Sequence, residues 1–283
     1  MKAAVSILAL LVLAPLTQAA PQNVQADLLA DVSVIKPGQS FTVGVLLKIQ
    51  PKWHVYWKNP GDSGRATTVK FDLPPGFTAG DLRYPIPTKI VQPGDETIYG
   101  YEDEVMFTAT ITPPKDLSAG ASVHLGANVQ WLVCADVCIP GKATANLSLP
   151  VSSEAAPDNQ DLFKTWSDRM PRTVADAGDI AKFTAHVLSG GGRQSMEFNF
   201  NQPVQNADWY PDASDDLNVT SIHATADAGG RDLTIDFNAV PLPGASATPT
   251  IPGGLLVYTD SNGQRHGVTV SLGHSPSTRP IGD

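Results

Sequence analysis

The chain of 283 residues holds two cysteines, Cys134 and Cys138, within the stretch Trp131-Leu132-Val133-Cys134-Ala135-Asp136-Val137-Cys138-Ile139-Pro140-Gly141. Along an extended strand this spacing separates the Cα atoms by roughly 13 Å, whereas a disulfide spans roughly 4.4 to 6.8 Å, so pairing requires the chain to turn. The apolar run before Cys134 and the Ile139-Pro140-Gly141 run after Cys138 predict a strand end, a tight turn through Asp136 and a strand start. A helical turn also brings positions i and i+4 to about 6 Å, but Pro140 and Gly141 leave a helix little room to continue. Three chemistries suit such a pair: an inert staple, a redox-active disulfide, or a thiolate pair for a soft metal. A bridge closing about five residues contributes only about 2 kcal/mol, less than a long-range bridge would. A chain of this length also buries a core without staples, so redox activity is the favoured reading.

The elements that must hold the pair are strands. The 24 glycines and 24 prolines are spread along the chain and punctuate short segments of period-2 alternation, which predicts an all-β fold. Strand-like runs cover Val24 to Ile35, Ser40 to Ile49, Thr67 to Leu73, Glu104 to Thr112, Ala121 to Val133 and Ala143 to Val151, with a Pro37-Gly38 turn between the first two. About seven short strands in about 130 residues suggest an immunoglobulin-like sandwich, here without the usual bridge between the sheets. Ser152 to Pro157 is a polar break. Asp158 is an expected N-cap for a short helix with Leu162, Phe163, Trp166 and Met170 on one face, packed between two domains and stopped by Pro171.

Strand patterns resume at Lys182 to Leu188, Met196 to Phe200, Leu217 to Ala226, Leu233 to Phe237, Leu255 to Thr259 and Gly267 to Leu272, with the hairpin signal Asn262-Gly263 between the last two. The expected plan is two immunoglobulin-like β-sandwich domains, 21–152 and 175–274, joined by a linker with a short helix at 153–174 and followed by a disordered tail at 275–283. His186, His223, His266 and His274 show no metal-ligand spacing.

Met1 to Ala20 reads as a secretory signal: Lys2 leads, Ala3 to Leu16 is nearly all apolar, and Thr17-Gln18-Ala19 is a small-residue cleavage site. Export to an oxidising compartment, as a soluble chain, is therefore expected. A formal charge of −9, one unit more negative once Lys2 is removed, argues against nucleic acid as a partner.

Three blocks stand in one order: Trp53-His54-Val55-Tyr56-Trp57-Lys58-Asn59-Pro60-Gly61-Asp62-Ser63-Gly64, then Asp95-Glu96-Thr97-Ile98-Tyr99-Gly100-Tyr101, then Trp131 to Pro140. Together they resemble the N-terminal periplasmic domain of the thiol:disulfide interchange protein DsbD, and more closely that of its relative ScsB, the copper-sensitivity suppressor. The resemblance covers about Val24 to Val151. It implies an immunoglobulin-like domain whose cysteine pair takes electrons from a membrane-embedded relay and passes them to periplasmic thioredoxin-fold proteins, with Cys138 as the sulfur that joins the partner. It also implies a cap loop over the pair, matching Asp95 to Tyr101. DsbD has a longer gap between its cysteines and an aromatic cap residue where Ile98 stands here. The relay and the C-terminal thioredoxin-like domain have no counterpart in this chain, so either a separate donor protein or electron flow in another direction is expected.

The catalytic expectation therefore rests on Cys134 and Cys138, as a protein-disulfide reductase type of oxidoreductase if the pair is active. Asp95, Glu96, Ile98, Tyr99, Trp53, Tyr56, Trp57 and Asp136 are the expected cap and partner-docking residues. The acidic ones, if close to the pair, oppose thiolate formation. No cofactor or metal is expected. Two rivals stay open: a non-catalytic binding or assembly module with a structural disulfide, and a protein linked to copper tolerance through soft thiolates, for which no Met-rich tract completes a site.

Overall fold

The computed structural model describes residues 23–186, 192–245 and 251–272; the expected leader and tail lie outside them. Among the described residues the fold is all-β apart from one helix, Gln160–Ser167. In the N-terminal half one antiparallel sheet runs in the order Val24–Ala30, Phe41–Ile49, Glu104–Thr112 and Thr78–Ala79. The facing sheet runs Cys138–Pro150, Ser122–Cys134, His54–Gly61, Glu96–Glu102 and Thr88–Gln92, with Thr68–Asp72 also paired to Ser122–Cys134. Alternation supplies the core between them: Val43, Val45 and Leu47 from one sheet meet the layer formed by Val123, Leu125, Ala127, Val129, Trp131 and Val133 from the other.

The second half repeats this plan. Arg172–Thr173, Arg265–Val270, Gly254–Thr259 and Gln205–Pro211 form one sheet, and Ile180–His186, Gly192–Phe200, Asp232–Pro241 and Leu217–Ala226 the other. Met196, Phe198, Phe200, Ile235, Phe237, Trp209, Leu256 and Tyr258 fill the space between. Arg265–Val270 and Gly254–Thr259 are joined through a turn at Asn262-Gly263, where Gly263 takes the positive φ of 80° that a hairpin demands.

Four findings differ from the sequence reading. The first predicted strand breaks at Asp31 into Val24–Ala30 and Val32–Val34. His54–Gly61, Thr88–Gln92 and Gln205–Pro211 are strands that the propensity of Asn, Pro, Lys and Gln residues concealed; tertiary pairing overrides it. The strand predicted from Ala143 starts at Cys138 and runs through Pro140, because it is an edge strand and a missing N–H there breaks no ladder. The helix begins one residue later than Asp158 implies: Asn159 is its cap residue in the left-handed region, with no side-chain cap bond. The Asn159 amide instead reaches the carbonyl of Ala30, and the Asp158 N–H donates to Asp31, which ties the helix entry to the first sandwich. Phe163 and Trp166 accordingly join the core of that sandwich.

The two sandwiches share an interface. Tyr99 stacks on Tyr210 with ring centroids 4.4 Å apart, Lys89 pairs with Asp208 at 2.7 Å, and Arg265 donates to the Pro87 carbonyl. Tyr210, Leu255 and Val257 of the second sandwich belong to the buried cluster of the first.

Candidate functional site

Cys134 ends one strand and Cys138 begins the next, so the two are cross-strand partners closing a hairpin through Ala135-Asp136-Val137. Their Cα atoms are 4.1 Å apart and their sulfurs form a disulfide. The close approach of opposed positions in an antiparallel pair is what makes a bridge feasible across so short a turn. Gly141 stands opposite Trp131, and a Cβ on it would come within 2.5 Å of the indole, so only glycine lets the ring lie flat over this strand.

The two sulfurs have different surroundings. Cys134 is 1% exposed and packs with Tyr56 and Ile98, flanked by Ile90 and Leu132. Cys138 is exposed, between Val137 and Ile139, which are 61% and 43% exposed. A second-strand register explains what reaches Cys134. His54–Gly61 pairs with Ser122–Cys134 so that His54 stands opposite Cys134, and Tyr56, two residues on, points to the same face. The Tyr56 hydroxyl donates to the Cys134 sulfur at 3.1 Å, and His54 Nε2 lies 3.4 Å from the Tyr56 oxygen. Burial raises the Tyr56 phenol above its ordinary value, with the Glu96 charge adding to it; burial lowers the His54 imidazole.

Period 2 also sorts the expected site residues. Tyr56 faces the disulfide, so its neighbour Trp57 faces the core, edge-on to Tyr99 at 6.1 Å. Ile98 covers Cys134, so Tyr99 turns away to the second sandwich. Trp53 is half-buried against the main core. Of the four aromatics only Tyr56 reaches the cysteines.

The expected cap is a strand rather than a loop. Thr88–Gln92 and Glu96–Glu102 form a hairpin, and Gly94 and Asp95 take the positive φ values its turn requires, 91° and 62°. Asp95 and Asp136 are exposed turn residues, while Glu96 is half-buried. The hairpin covers Cys134 through Ile98 and leaves Cys138 open.

Three residues of the first block, unassigned by the sequence reading, hold this arrangement. His54 sits in strand alternation with Tyr56, which was the available signal. The Asp62 carboxylate accepts from the Thr97 N–H at 2.7 Å and the Asp62 N–H donates to the Thr97 carbonyl at 2.8 Å, clamping the hairpin beside Ile98. Gly64, at φ 100°, lies on the Tyr56 ring, where a Cβ would collide with it. Among the described residues no group of three His, Cys, Asp or Glu side chains is placed to hold a metal, and no helix is long and apolar enough to cross a membrane.

Residues 20–150 match the family model for the N-terminal part of the thiol:disulfide interchange protein DsbD. That match spans the N-terminal sandwich and supports its assignment to the DsbD N-terminal family. The crystal structure of the N-terminal periplasmic domain of ScsB from Proteus mirabilis is similar in fold to this chain, with a TM-score of 0.66, 19% identity, and coverage of 91% of this chain and 97% of that one. The N-terminal domain of Neisseria meningitidis DsbD in its reduced form aligns over 46% of this chain and 90% of its own, at 12% identity and a TM-score of 0.27. No curated protein sequence matches the chain. The DsbD-type family and the cysteine pair together support thiol–disulfide interchange as the chemistry of the site.

Proposed function

We propose that this protein is a periplasmic thiol–disulfide exchange protein that passes reducing equivalents through Cys134 and Cys138 to or from a thioredoxin-fold partner. One observation carries the reading: a single disulfide joins an exposed sulfur to a buried one. Exchange needs one sulfur that a partner can attack and a second that leaves and later returns. In the reducing direction the Cys138 thiolate attacks the partner's disulfide, forms a mixed disulfide and expels one partner thiolate. Cys134 then attacks Cys138, its electron pair forming the internal bridge while the second partner thiolate departs. The opposite direction reverses these steps.

The apolar side chains of Val137 and Ile139 beside Cys138 suit docking of a partner's active-site surface. A separate membrane-embedded relay is the proposed electron donor, and the leader expected at Met1 to Ala20 supports a periplasmic location. Pull-downs from periplasmic extract test the roles. Cys134→Ser should accumulate a reductant-sensitive adduct with a thioredoxin-fold protein through Cys138, because the resolving attack is gone. Cys138→Ser should trap far less. Equal trapping by both removes the assignment of roles, and none by either favours a binding module with an inert bridge.

A further inference from the structure

We propose that His54 is a positioning residue for this exchange: it holds the Tyr56 hydroxyl on the sulfur of Cys134, so that this sulfur takes up its electron pair against a hydrogen-bond donor when the disulfide opens. The proposal deepens the exchange reading above, and its test is independent of any protein partner.

The geometry assigns the protons. Tyr56 has one O–H, directed at the Cys134 sulfur at 3.1 Å, so toward His54 its oxygen accepts, and Nε2 of His54 carries the hydrogen across 3.4 Å. The rings meet edge to face, 5.2 Å between centroids at 78°. Both side chains are buried, His54 at 5% and Tyr56 at 1% exposure, so neither turns freely toward solvent. Gly64 packs on the Tyr56 ring and limits it further. An attacking thiolate reaches the exposed Cys138, the Cys134–Cys138 bond breaks, and both bonding electrons pass to Cys134, where water has little access. Charge formed at a buried atom requires a partner, and the Tyr56 O–H is the hydrogen-bond donor present.

The groups facing His54 are few. Tyr56 lies on its own strand, Cys134 opposite it on one side, and Glu102 opposite it on the other, exposed to solvent; Glu96 acts on Tyr56. The lowered His54 basicity leaves the ring neutral near neutral pH, still donating through Nε2, and the raised Tyr56 value keeps the hydroxyl protonated. Acid therefore adds a positive charge behind the donor without removing it.

The experiment is reduction of the oxidised full chain by dithiothreitol, with rates divided by the fraction of reagent thiolate, for wild type, Tyr56→Phe, His54→Phe, His54→Gln and the double Phe variant. Tyr56→Phe should slow the reaction about tenfold or more, the weight of one hydrogen bond to a charged group. His54→Phe should slow it by about three- to tenfold, and the double variant should react no more slowly than Tyr56→Phe alone, since both losses run through one donor. His54→Gln keeps an N–H and should recover most of the loss. Wild type, and not His54→Gln, should show a thiolate-corrected rate that rises as pH falls below the ordinary imidazole range, where the buried His54 takes up its proton. The proposal is overturned by a His54→Phe rate equal to wild type, by losses that multiply in the double variant, or by an unaltered pH profile in His54→Gln. Should His54→Phe fail to fold, the His54→Gln profile decides. Correct dithiothreitol kinetics with no trapped partner would instead sink the exchange reading while leaving this role of His54 intact.

Discussion

The two sulfurs of the disulfide have different surroundings. Cys138 stands in water between Val137 and Ile139, whereas Cys134 lies under Ile98 with the Tyr56 hydroxyl on its sulfur. Iodoacetamide should therefore label Cys138 at least about tenfold faster than Cys134 in the native reduced chain, with the difference vanishing in denaturant. Peptide mass spectrometry of timed quenches reads this directly; equal labelling would refute the asymmetry. The bridge itself does little for stability, because it closes a short turn already formed by strand pairing. Replacing both cysteines by serine should lower the unfolding free energy by no more than about 2 kcal/mol, measured by urea titration.

The hairpin Thr88–Gln92 and Glu96–Glu102 is the element that decides access to Cys134. It is pinned on one side by the Asp62–Thr97 pair of hydrogen bonds and on the other by the Tyr99–Tyr210 stack. Ile98, fully buried, is its contact with the sulfur. Ile98→Ala should cost about 2 to 5 kcal/mol in stability and raise the alkylation rate of Cys134 in the reduced protein, because the methyl groups removed are the cover. A loss of stability with no change in Cys134 labelling would show that Ile98 is core packing alone. The block Asp95 to Tyr101 was legible in the sequence as a unit near the cysteines. That it is a paired strand was not, since Gly94 and Asp95 announce a turn but the partners of the ladder lie elsewhere in the chain.

Across the whole molecule, the shared cluster of Tyr210, Leu255 and Val257 with the first sandwich makes the two halves thermodynamically coupled. Wild type should unfold in one transition, and Tyr210→Ala should separate it into two, followed by tryptophan fluorescence from Trp57 and Trp209. Acid stability has its own contributor in the second half. Burial raises the Asp179 carboxyl, but hydrogen bonds from Tyr258 and Arg172 outweigh it and hold the group below its ordinary value. A depressed native value means stability that is complete above the unfolded carboxyl value of about 3.9 and lost as pH falls through the folded one. The stability difference between wild type and Asp179→Asn should therefore shrink as pH falls from about 5 to about 2.5, measured as urea midpoints. An unchanged difference would remove Asp179 from the acid response. By itself the sequence determined the all-β class, the turn between the cysteines and the three blocks that mark the family, because strands, turns and motifs are written in residue types a few positions apart. Only the tertiary structure decided that Tyr56, not Trp57 or Tyr99, meets a sulfur 78 residues away, and that one cysteine is buried while the other is open. Those outcomes depend on strand register, where a slip of one residue exchanges the two faces, and register is settled by packing between distant segments.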